Sequence, residues 1–226
     1  MVHFFKMMFN WTEVWALLIP LAVLFFHRHQ PSFLKPVIIY LFVALFLNLI
    51  GDVIGDFKKY LPSWMQSNNP LYNIHSLVRF ACFSAFFLTL RQPYFMGLKK
   101  ALPLLSLVFV LINFTLFDNF FYTRNINGNL LSVEAYLLLV YCMLYYLGKL
   151  REEVNPRLSG PDFLVTTGLC IYVVINFFVF LFYVPLIDQD KEMAKQMWNI
   201  HNVAYIILCI FIATAFYASP RLNHRG

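Results

Sequence analysis

Apolar residues fall in long blocks along this chain, not in the short alternations of a soluble fold. Seven blocks, at roughly 11–26, 36–54, 70–90, 98–117, 129–147, 162–187 and 198–219, are separated only by brief polar stretches. About 20 mostly apolar residues suffice to cross a bilayer as a helix, and in hydrocarbon the backbone must satisfy its own hydrogen bonds. The pattern predicts an all-α integral membrane protein. Its architecture is expected to be one seven-transmembrane-helix bundle over residues 1–226, with no soluble domain. Proline marks many block boundaries (Pro31, Pro36, Pro62, Pro70, Pro161 and Pro220), where a helix starts or cannot continue. Pro20 is central in the first block and predicts a kink there. Gly51 and Gly55 form a small-xxx-small pair that predicts close helix approach within the bundle, with homodimerisation as the lesser alternative.

Polar positions inside the blocks are costly in a membrane and mark candidate sites. They gather in one half of the bundle. Near the starts of odd-numbered blocks stand Glu13; then Tyr72, His75 and Arg79; then Glu134; then Trp198, His201, Asn202 and Tyr205. Near the ends of even-numbered blocks stand Asn48 and Asp52, then Asn113, then Asn176 and Tyr183. Helical spacing aligns them into stripes. His75 and Arg79 are four apart, as are Asn48 and Asp52. Trp198, His201, Asn202 and Tyr205 follow an i, i+3, i+4, i+7 pattern. Arg79 lies roughly 14 Å into its helix at about 1.5 Å per residue, a depth that demands a partner, and Glu134 and Asp52 are the candidates. These stripes predict a polar cavity lined by Asp52, Tyr72, His75, Arg79, Glu134, Trp198, His201 and Asn202.

Composition supports the membrane assignment: 61% hydrophobic residues, 12% charged and 26 Phe do not suit a soluble domain. The net charge of +6 gives an orientation. Ten basic residues (Arg28, Lys35, Arg91, Lys99, Lys100, Lys149, Arg151, Arg157, Arg221 and Arg225) fall on one side and six (Lys6, Lys58, Lys59, Arg124, Lys191 and Lys195) on the other. The positive-inside rule then places the N-terminus outside and the C-terminus in the cytoplasm. The basic rim faces anionic lipid. Its scatter through short loops speaks against nucleic acid as a partner. The first block reads as a retained helix, since Glu13 opens it and no small-x-small cleavage site follows Phe26. Cys82, Cys142, Cys170 and Cys209 fall in four different blocks without a CxxC and are expected as free thiols.

Leu71-Tyr72-Asn73-Ile74 opening the third block and Trp198-Asn199-Ile200-His201-Asn202 opening the seventh resemble the small, Phe-rich bacterial seven-span membrane proteins. That resemblance implies a sensor-like module in the bacterial inner membrane and assigns no site residue. Two other seven-span groups are less similar. Microbial rhodopsins carry a retinal-binding lysine in the seventh span, which holds none here, so retinal is not expected. The alkaline-ceramidase and progestin-receptor group places paired histidines on its last helix, whereas His201 is followed four residues on by Tyr205. A Zn²⁺ or other divalent site would draw on His75, His201, Asp52 and Glu134, but no HExxH, HxxxH or paired-Asp motif accompanies them, and no cofactor is expected.

The leading expectation is therefore a multi-pass sensor, receptor-like or accessory protein. Its outward polar cavity takes a small polar or anionic ligand, or protons, and it signals through a separate protein at the cytoplasmic face. The alternative is an intramembrane enzyme, possibly metal-dependent, acting on a lipid or lipid-linked substrate. A transporter is less well supported, because the polar stripes stop halfway and no inverted repeat is visible.

Overall fold

The computed structural model describes residues 11–62, 66–90, 92–117, 119–120, 126–151 and 160–223. Among these, seven α-helices follow one another: α1 (Thr12–Phe26), α2 (Lys35–Phe57), α3 (Asn69–Thr89), α4 (Met96–Ile112), α5 (Gly128–Leu150), α6 (Pro161–Gln189) and α7 (Lys191–Asn223). A π-turn, Asn113–Phe117, continues α4. Six of the helices, α2 to α7, are long and apolar enough to cross a membrane, as a multi-pass membrane protein requires. The segment expected to form the first span is an apolar helix of only 15 residues. Lys6, Arg91, Arg124, Arg157 and Arg225, five of the charges behind the expected orientation, lie outside the described residues.

The helix starts follow local chemistry. Proline occupies the first turn of α2, α3 and α6, where a missing N–H costs nothing and φ is already helical. Asn127 caps α5 by accepting the Leu130 N–H at 2.9 Å. Asp190 is the one residue between α6 and α7. Its Oδ1 accepts the N–H groups of Glu192 (3.1 Å) and Met193 (3.0 Å), a side-chain N-cap. This cap corrects the seventh apolar block. The helix begins at Lys191 rather than 198, because an amphipathic turn with a good cap needs no apolar run. Lys191 and Lys195 are thus helical residues, exposed at the tip of α7, and not loop charges.

Six helices close a ring in the order α1–α2–α3–α5–α6–α7, with α7 packing back on α1. Helix α4 stands outside it, against α3 and α5. It buries 17% of its span, against 39–56% for the other five spans. The middle of the ring is filled by Phe80, Phe83, Phe86, Phe87, Leu138, Tyr141 and Leu169. Phe87 stacks on Tyr141 with centroids 5.1 Å apart and planes within 4°, a geometry favourable beyond the area it buries. Gly51 faces Asn68 and Leu71 at 4.0 Å, while a side chain at Gly55 would meet nothing. Only the first glycine of the pair therefore serves contact between α2 and the start of α3. All four cysteines are free thiols.

Candidate functional site: a charged network beneath a vestibule

The two ends of the ring differ, and the end where α1 begins holds the candidate residues. There Arg79 of α3 forms a two-pronged ion pair with Glu134 of α5: Nε donates to Oε1 and Nη2 to Oε2, both at 2.6 Å. Ser76, one turn before Arg79, donates to the same Oε2 at 2.6 Å. The remaining arm of the guanidinium, Nη1, donates to the Tyr172 hydroxyl of α6 at 2.5 Å. Arg79 and Glu134 are both almost wholly buried. Three helices are tied at one point, and the geometry is the planar bidentate match for which arginine is suited.

A second tie lies beside it. His201 of α7 donates from Nδ1 to Asn176 Oδ1 of α6 at 2.5 Å, and Asn176 in turn donates to the Tyr172 carbonyl at 2.8 Å. The other ring nitrogen, Nε2, lies 3.4 Å from Glu13 Oε1 of α1. That contact is attractive when one proton resides between the pair. Asn48 of α2 donates to the Glu13 carbonyl at 3.3 Å. Tyr40 of α2 and Tyr205 of α7 bring their hydroxyls within 3.3 Å, and Tyr40 stacks on the His75 ring. Every helix of the ring contributes a polar group.

The expected cavity residues are placed as follows. Arg79 reaches Glu134 and not Asp52, because the two carboxylates sit on different helices and Glu134 matches its depth. Among the described residues, Oδ2 of the half-buried Asp52 and Nε2 of His75 have no hydrogen-bond partner. Both groups face a small cavity shared with Glu13, Asn48 and Tyr72. A second small cavity is enclosed by Glu13, Tyr72, His75, Ser76, Arg79, Trp198, His201 and Tyr205, among others. Each offers about 10 Å³, room for about one water molecule and no larger guest. Asn202 is buried on α7 and lines neither cavity. Among the described residues no group of three or more His, Cys, Asp or Glu side chains is placed to hold a metal ion.

Above these cavities opens a wide vestibule of about 530 Å³, walled by Asn68, Asn69, Tyr72, Ile126, Tyr183, Ile187, Lys191, Ala194, Lys195 and Trp198. Tyr72 and Trp198 meet edge to face with centroids 5.6 Å apart. They line both the vestibule and the lower cavity, so they form the partition between them. Trp198 also lies against the His201 ring, 5.0 Å away. Sequence reasoning missed the vestibule, since its upper wall is the polar first turn of α7. The signal was present in Asp190, a cap residue followed by Lys191, Lys195 and Trp198 at helical spacing.

A further polar cluster at the opposite end escaped it as well. Lys99, counted as a rim charge, is fully buried. Its Nζ donates to Gln92 Oε1 at 2.7 Å, and Gln92 donates to the Tyr145 carbonyl at 2.9 Å. Tyr141 donates to the Lys99 carbonyl, and Tyr145 to Asp162.

Compared with protein-family models, with curated proteins and with solved structures, the chain has no match in any of the three.

Proposed function

We propose that this chain is a sensor-like or accessory membrane protein that receives a small polar or anionic ligand in the vestibule. The Tyr72–Trp198 partition passes its presence to the charged network beneath. One observation carries the reading: the two residues that floor the vestibule also roof the cavity holding Glu13, Arg79 and His201. A ligand that shifts Trp198 must disturb the His201 ring packed on it, and through Asn176 the α6–α7 pair. In this reading the chain spans the inner membrane seven times, with α1 as the first span and its N-terminus outside. A separate protein takes up the signal at the Lys99 end. The alternative, an intramembrane enzyme, draws on the histidines and carboxylates of the same network.

Two measurements test this. Reporter fusions at the 152–159 connection and at the N-terminus fix the orientation; cytoplasmic and external signals, respectively, are expected, and the reverse overturns the proposed topology. Thermal stability of the purified protein is then screened against small carboxylates, phosphates and amines, with product analysis and metal content measured alongside. The sensor reading expects a stabilising ligand whose effect is lost in Trp198→Ala, without turnover. Product formation or one bound Zn²⁺ per chain supports the enzyme.

A further inference from the structure

The vestibule's lining has a sign. Among the described residues, the charged side chains on it are Lys191 and Lys195, one helical turn apart on α7, and both are exposed. Among the described residues no carboxylate lines it. The other polar residues on its wall are Asn68, Asn69, Tyr72, Tyr183 and Trp198, whose amide, hydroxyl and indole groups can each donate a hydrogen bond. A cation over the aromatic floor would gain ring attraction but would face both ammonium groups. The carboxylates below, Glu13 and Asp52, line the small cavities and not the vestibule, and Arg79 is matched by Glu134.

The lining also has a polarity of direction. Lys191, Lys195, Trp198, His201 and Tyr205 fall on one stripe of α7, running from the mouth to the core. Cationic groups stand at its top and ring faces below them, with Tyr183 5.2 Å from Trp198. A bare inorganic anion leaves most of a 530 Å³ space unfilled. That volume lies in the range of sites for small organic ligands.

We infer that the vestibule binds an amphiphilic anion, its phosphate or carboxylate head between Lys191 and Lys195 and its aromatic or aliphatic body on Trp198 and Tyr183. This rests on the reading of the vestibule as the ligand-receiving mouth and adds the chemical class of the ligand. The same chemistry is offered by a soluble organic anion and by an anionic lipid headgroup, and the test separates the two.

The full-length protein is placed in phosphatidylcholine nanodiscs, and tryptophan emission is followed, with Trp198→Phe subtracted to isolate residue 198. Phenyl phosphate is expected to perturb it saturably, inorganic phosphate to act more weakly, and benzyl alcohol to do so least. Changing Lys191→Gln together with Lys195→Gln should weaken phenyl phosphate binding by about tenfold or more, as the loss of charge-assisted contacts requires. The paired change of both lysines to Arg should retain it. In discs containing phosphatidylglycerol, competition with phenyl phosphate assigns the site to a lipid headgroup, and unchanged binding assigns it to a soluble anion; either result supports the anionic class. Equal binding of benzyl alcohol, or undiminished binding by the double Gln variant, overturns the anionic ligand and leaves the vestibule as a ligand site. No response at Trp198 to any probe removes the vestibule reading itself.

Discussion

The ring holds buried charge at both ends but holds it differently. At the Glu13 end, Arg79 meets a full carboxylate through two parallel hydrogen bonds, with Ser76 and Tyr172 completing the set. At the other end Lys99 meets a neutral amide, Gln92, which is anchored on a backbone carbonyl. An arginine deep in a span lies far from bulk water, and a counter-charge offsets most of its desolvation. A lysine in the first turn of α4 sits near the membrane surface, where an amide dipole suffices. The aromatic layer of Phe83, Phe87 and Tyr141 separates the two systems. The comparison teaches that Arg79 is locked by mutual dependence between charges, whereas Lys99 is held by hydrogen bonds to neutral groups.

The largest expected effect follows from that dependence. Arg79→Leu strands Glu134 and should cost about 3–5 kcal/mol of stability, with much of the loss regained in the double change Arg79→Leu with Glu134→Leu. Denaturation in mild detergent measures both, and equal losses in the single and double variants would break the pairing argument. Next comes Asn176→Leu, which leaves His201 Nδ1 without its partner, while the Tyr172 carbonyl keeps its helical N–H. It should cost roughly 1–3 kcal/mol and alter the emission of Trp198, which packs on His201. The smallest effect is expected for Lys99→Met, about 1 kcal/mol, since one hydrogen bond is lost and a buried cation is removed with it. If Lys99→Met proves as damaging as Arg79→Leu, the contrast between the ends is wrong.

Much of the Glu13 end was legible in the sequence. Helical spacing placed His75 and Arg79 on one face, depth matched Arg79 to Glu134, and the seventh block's stripe contained Trp198, His201 and Tyr205. These are strong signals because a membrane penalises every polar residue that lacks a reason to be there. What could not be read was choice among partners. Asp52 and Glu134 were both candidates for Arg79, and the ring sets α2 and α5 on either side of α3, so only depth and the direction of the Arg79 side chain decide between them. Lys99 and Gln92 were opaque for the opposite reason. Near an interface a lysine carries no penalty by default, so its burial leaves no trace in composition. The vestibule was missed because the search for apolar blocks discards a polar helical turn, although Asp190 announces its start.

The ring order has a consequence for biosynthesis. Helix α1 is made first, yet its neighbours are α2 and α7, and α7 is made last. Glu13 therefore enters its surroundings long before His201 exists to face it. Until the last helix arrives, α1 and α2 form an open arc with a carboxylate on its inner side, and the joint at Asp190 allows α6 and α7 to enter as one hairpin. Without α7 the ring cannot close, and Glu13 lacks the ring nitrogen it faces in the complete fold. The Glu13–His201 contact thus joins the first and last helices of the ring, and it forms only once both are in place.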